Sequence, residues 1–75
     1  MTTFEIVRDV LQSELGVEPE DIELTSKLED LGADSMDQAS LILALEEHFE
    51  MEIPDDDSKR FRRVYQIVDY VDSHR

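Results

Sequence analysis

Cysteine is absent from this chain of 75 residues, and so is tryptophan. Without cysteine there is no disulfide frame, and the polypeptide has no thiol chemistry of its own. No apolar run approaches the roughly 18 residues of a membrane span. The start, Met-Thr-Thr-Phe-Glu, lacks the basic and apolar regions of a signal peptide. A soluble, cytoplasmic protein without a membrane span is therefore the expectation. No alternating strand pattern and no internal repeat is present. Bases are scarce: seven Lys and Arg stand against twenty Asp and Glu, for a net charge of −13. Such a chain repels the phosphates of nucleic acid and of anionic membranes. It favours partners with basic surface patches, although acidic residues also serve simply to keep a small protein soluble.

What is present fits one small domain, residues 1–75. A chain this short buries only about 60% of the surface its unfolded form exposes. It can hold a small core, not a deep walled active site. Apolar residues make up 40% of the chain and are spread along it, which argues for folding. The charge is uneven. Residues 1–58 hold 18 acids against Arg8 and Lys27, whereas Lys59, Arg60, Arg62 and Arg63 crowd into five positions.

The spacing of Phe4, Val7, Val10, Leu11 and Leu15 predicts a helix over 3–15, capped by Thr2 or Thr3, with Glu5 in the first turn and Gly16 as its stop. A long connection follows over 16–33. Its apolar residues Val17, Ile22, Leu24, Leu28 and Leu31 are expected to tuck onto the helices, with a short helical turn near 20–22. A connection this long in a small domain is usually functional or well packed. It leads into Leu31–Phe49, the stretch around which the chain is organised. Asp34 or Ser35 can cap a helix over 35–50, and Ser35-x-x-Gln38 fits a capping box. Leu41, Ile42, Leu45 and Phe49 share its core face. Met36, Ala39 and Leu43 lie nearly opposite, among Ser40, Glu46, Glu47 and Glu50. That second stripe reads either as a contact surface or as scattered surface apolars.

Pro54 breaks the chain again. Asp55–Ser58 can cap a short helix over 56–61. Val64, Ile67, Val68 and Val71 predict a last helix over 64–73, with Tyr65 and Tyr70 on its flanks. The expected fold is all-α: a four-helix bundle with three main helices, one short helix and a long first loop.

No residue set supports catalysis. His48 and His74 lack partners at metal or triad spacing, and Ser35 has no GxSxG context. The Asp55–Asp57 run lacks the Gly and terminal Glu of a calcium loop. No catalytic and no metal-binding residue is assigned. Ser35 at a helix start, where backbone N–H groups converge, suits a phosphate ester. Asp34 beside it opposes tight binding of a free anion. The same serine also reads as a plain cap.

The run Leu31-Gly32-Ala33-Asp34-Ser35-Met36-Asp37, then Ala44-Leu45-Glu46-Glu47-x-Phe49 and Ile53-Pro54-Asp55, resembles an acyl carrier protein of the discrete type. Leu15-Gly16-Val17, Val64 and Asp69-Tyr70-Val71 extend the resemblance over nearly the whole chain. The resemblance implies a 4′-phosphopantetheine arm on Ser35, transferred from coenzyme A by a phosphopantetheinyl transferase. It implies a monomeric carrier, not an enzyme, whose arm bears acyl groups as thioesters among acyl-transferring and elongating enzymes with basic patches. It further implies that Asp34, Met36, Asp37, Ala39, Ser40, Leu43, Glu46 and Glu47 meet those partners, and that the core could part to shelter an acyl chain.

Three features depart from the family pattern. Ser40 replaces a glutamate of the recognition helix, the cluster Lys59–Arg63 is basic where the family is acidic or neutral, and Arg63 stands where a Thr caps the last helix. They suggest a dedicated carrier for a specialised pathway: a polyketide, an unusual lipid or a modified fatty acid. Two alternatives remain at this point. An aminoacyl or peptidyl carrier is disfavoured by Gly-Ala-Asp-Ser, since peptidyl carriers more often show Gly-Gly-x-Ser. An unmodified acidic adaptor subunit is the other.

Overall fold

The computed structural model describes residues 1–74. Among these, four helices form and no strand: α1 (Thr3–Leu15), α2 (Ser35–Phe49), α3 (Asp55–Ser58) and α4 (Val64–His74). The all-α reading holds. No helix of the described residues is long and apolar enough to cross a membrane.

Thr2 caps α1 in a reciprocal box. Its hydroxyl accepts the Glu5 N–H at 3.2 Å, and its own N–H donates to Glu5 Oε1 at 2.9 Å. The Thr2 N–H, then the Thr2 side chain, hold the Glu5 carboxyl below its ordinary value. The folded pKa being the lower one, this contribution is present above the unfolded pKa and is lost as the pH falls through the folded pKa. Gly16 ends the helix in the left-handed region, φ 70°, where its N–H reaches the Gln12 carbonyl.

α1 packs against both α2 and α4. Its Val7, Val10 and Leu11 meet Leu41, Ile42 and Leu45 of α2 and Val64, Ile67, Val68 and Val71 of α4 in one buried cluster. Each fully buried side chain of this kind contributes roughly 1.5–3 kcal/mol relative to exposure. Phe4, Leu15 and Phe49 lie at the edges, half-buried. α2 stops at Phe49, one residue before the expected end, because Glu50 takes a left-handed conformation, φ 52°.

The connection between α1 and α2 contains the expected turn, a 3₁₀ turn at Pro19–Asp21, and an unexpected second one at Glu29–Leu31. Ile22 and Leu28 bury as anticipated, whereas Leu24 stays exposed. Leu24 serves through its backbone. Its carbonyl accepts the Tyr65 N–H at 2.9 Å, the Ser26 carbonyl accepts the Val64 N–H at 3.0 Å, and the Leu28 N–H donates to the Arg62 carbonyl at 2.8 Å. Arg63 therefore does not leave α4 uncapped. Loop carbonyls take the first helical N–H groups, and Gln66 Oε1 accepts the N–H of Arg62 and Arg63 at 2.7 and 2.8 Å.

The third helix differs from expectation. It spans Asp55–Ser58, not 56–61, and Pro54 occupies the cap position with no side-chain cap. The acids read as its cap are the helix itself. The chain leaves helical geometry after Ser58, and Phe61, read only as part of a basic run, turns into the core at 5% exposure. Tyr70 then pins α3 to α4: its ring meets Phe61 edge-on at 5.6 Å and its hydroxyl donates to Asp57 Oδ2 at 2.9 Å. Burial first, then the Asp57 hydrogen bond, raises the Tyr70 pKa above its ordinary value.

Eighteen acids in residues 1–58 repel one another in this small volume. The melting temperature is expected to rise as salt shortens the screening length to about 10 Å at 0.1 M. Calorimetry across a salt series checks this, and a flat series refutes it.

Candidate functional site

The turn before α2 decides what Ser35 can do. Gly32 takes φ 92°, a conformation costly for a residue with a Cβ, and the Ala33 N–H donates back to the Leu28 carbonyl. The chain then reaches Asp34 in extended geometry, and Ser35 is the first helical residue. Asp34 Oδ1 accepts the Asp37 N–H at 2.9 Å, and Asp37 Oδ2 accepts the Asp34 N–H at 3.3 Å. The capping box is therefore Asp34-x-x-Asp37, not Ser35-x-x-Gln38. Ser35 lies one residue too far into the helix to cap it. Gln38 instead bridges two helices, its Nε2 donating to the Ser58 carbonyl at 3.1 Å.

This leaves the Ser35 hydroxyl exposed, with no hydrogen-bond partner among the described residues. Two grooves meet at it. One, of about 660 Å³, runs between α2 and the 53–62 segment, with Ala39, Ile42, Leu43 and Ile53 in its wall. The other, of about 580 Å³, runs between the turn before α2 and residues 61–63. Ser35, Gln38 and Arg62 line both grooves, so they form the divide. Neither histidine lines either groove.

The outward stripe of α2 is solvent-facing: Met36 is 78% and Leu43 63% exposed, and Ala39, Ser40 and Glu47 are exposed with them. Its acids are not equivalent. Asp34 and Asp37 are engaged in the cap. Glu46 is half-buried, and its Oε2 accepts the Ile53 N–H at 2.9 Å, tying down the chain after α2. Lys59 and Arg62 were legible as a basic run, but nothing local in the sequence places them beside Ser35. Lys59 lines the first groove and Arg62 both.

The cap gives a direct prediction. Asp34→Ala removes the acceptor for the Asp37 N–H and is expected to cost about 1 kcal/mol. Urea unfolding measures it, and a midpoint equal to wild type would show that the cap does not hold this turn.

A phosphodiester fits on Ser35. Its oxygen is exposed and uncommitted, two grooves offer room for a flexible chain, and Arg62 lines both. A helical bundle with an uncommitted hydroxyl at such a junction has room there for a tethered group. Residues 5–71 match the family described as the phosphopantetheine attachment site. The acyl carrier protein of Campylobacter concisus is 47% identical over 73 residues, covering 96% of this chain and 95% of that protein. That of Campylobacter curvus is 45% identical over the same shares, and that of Campylobacter jejuni subsp. doylei is 43% identical over 97% of this chain and 96% of its own. The chain belongs to the acyl carrier proteins, a family of carriers rather than enzymes whose prosthetic group is 4′-phosphopantetheine.

Proposed function

We propose that Ser35 is the attachment point of the arm, and that the whole chain, 1–75, acts as one monomeric carrier domain in the cytoplasm. The observation that carries this reading is the hydroxyl that Asp34 leaves uncommitted by capping in its place. In the transfer, the Ser35 oxygen gives up its proton and bonds to phosphorus of coenzyme A. The pyrophosphate bond breaks, and the nucleotide half leaves with its electrons. The bound group supplies the thiol that the polypeptide lacks, on which acyl groups are carried as thioesters.

The outward stripe of α2 supports a role in meeting partner enzymes. Met36 and Leu43 offer exposed apolar contact, Ala39 and Ser40 leave room for close approach, and Glu47 presents a carboxylate. Asp34, Asp37 and Glu46 add negative potential while holding the helix. Basic patches on the transferase and on acyl-transferring and elongating enzymes would be steered to this face, which aids encounter rate more than affinity.

Ser40 and the basic 59–63 segment favour a specialised pathway, a polyketide, unusual lipid or modified fatty acid, over general fatty-acid synthesis. Mapping the arm to the proteolytic peptide that contains Ser35 tests the attachment. Supplying the armed protein to a housekeeping fatty-acid synthase tests the pathway. Elongation well below that of the synthase's own carrier is expected, and equal turnover would remove the specialised assignment.

A further inference from the structure

We propose that Arg62, assisted by Lys59, binds the phosphodiester that joins the arm to Ser35 and so fixes the base of the arm at the divide between the two grooves. This rests on Ser35 being the attachment point. Three observations carry it.

The first is placement. Among the described residues, Arg62 is the one cationic residue that lines both grooves reaching Ser35, and Lys59 lines the larger of them. The second is availability. Among the described residues, the hydrogen bonds from the cluster's guanidinium groups go to backbone carbonyls and not to carboxylates. Arg62 Nη1 donates to the Lys59 carbonyl at 2.6 Å and the Phe61 carbonyl at 3.4 Å, and Arg63 Nη1 donates to the Thr25 carbonyl at 2.7 Å. Arg62 is thereby positioned through one nitrogen, while its other N–H donors keep the planar fork that suits phosphate oxygens.

The third is charge. A phosphodiester at Ser35 brings a permanent negative charge beside the Asp34 carboxylate, which the cap holds in place. Asp55 and Glu46 also line the larger groove, and Glu29 the smaller. In a chain of net charge −13, the arm's charge is opposed from several sides. Lys27 and Arg63 stand against Glu29 in the smaller groove, and Arg62 and Lys59 offset the repulsion from Asp55 and Glu46 in the larger. The positive 59–63 segment in an otherwise acidic chain then has a purpose inside the molecule. The competing use, docking an acidic partner protein, would leave the phosphodiester untouched.

The test uses intact protein armed by a transferase and coenzyme A, with arming verified by intact mass. The Arg62 Nε–Hε resonance is expected to move between the unarmed and armed forms of the wild-type protein. The phosphorus resonance of the armed protein is expected to shift with added salt. In armed Arg62→Gln it should lie elsewhere and lose most of that salt response, with Lys59→Gln showing a smaller change. Arg60→Gln should match wild type, because Arg60 lines neither groove at Ser35. An Arg62 Nε–Hε resonance that does not respond to arming overturns the proposal, and that comparison needs no variant. So does a phosphorus resonance identical in wild type and Arg62→Gln, which would leave the cluster to an acidic partner. Failure of the wild-type protein to gain the mass of the arm overturns the Ser35 assignment itself, and this inference with it.

Discussion

Ser35→Ala protein, incubated with coenzyme A and a broad-specificity transferase, is expected to keep its starting mass, while wild type gains one phosphopantetheine group. The fold should not change. Ser35 is the first residue of α2 and its hydroxyl is uncommitted, because Asp34 accepts the Asp37 N–H. Alanine is the best helix former, and an exposed substitution away from special features moves stability by less than about 0.5 kcal/mol. If the serine were instead the cap, the same substitution would cost about 1 kcal/mol. One variant therefore separates two roles that the sequence leaves open. Lost arming with an unchanged unfolding midpoint is the expected pair of results. Persistent arming would exclude Ser35 as the site, and a clear fall in stability would show that the hydroxyl supports the helix.

Two leucines of α2 make the second contrast. Leu41→Ala is expected to destabilise the protein by about 3 kcal/mol, within the 2–5 kcal/mol typical of a buried Leu. Leu41 is completely buried in the core that α2 shares with α1 and α4. For a chain of this length the total stability is of order 4–11 kcal/mol, so that one truncation removes a large share of it and leaves part of the population unfolded near body temperature. Leu43→Ala, two residues on, should change stability by less than about 0.5 kcal/mol. It should instead weaken the use of the carrier by partner enzymes, since Leu43 is 63% exposed on the outward stripe. Urea unfolding and partner kinetics on both variants give the readout. Equal loss of stability at the two positions would contradict the two-faced reading of α2.

That contrast was legible before the structure. At 100° per residue the sequence alone puts Leu41 and Leu43 on opposite faces, and the helical period likewise marks Val7, Val10 and Leu11 and the three valines and one isoleucine of the α4 core face. Local signals of this kind succeed because a helix face is set by spacing within a few residues. Other features were not legible. Phe61 hides between charged neighbours and has no periodic partner, so its burial follows only from where α3 ends and α4 begins. Leu24 looks like a core residue by composition, yet its carbonyl is used and its side chain is not. Arg63 seemed to cost α4 a cap, but the missing acceptors come from Leu24 and Ser26, some forty residues earlier in the chain.

The sequence by itself determined the all-α architecture, the core face of each main helix and the family. Each of these depends on spacing or on a contiguous run of residues around Ser35. The tertiary structure alone decided which oxygen caps α2 and that Lys59 and Arg62 come to the rim of the grooves beside Ser35. The cap depends on backbone geometry at a single residue, and the approach of the cations depends on the 53–62 segment lying back along α2. Neither leaves a periodic trace in the order of the amino acids.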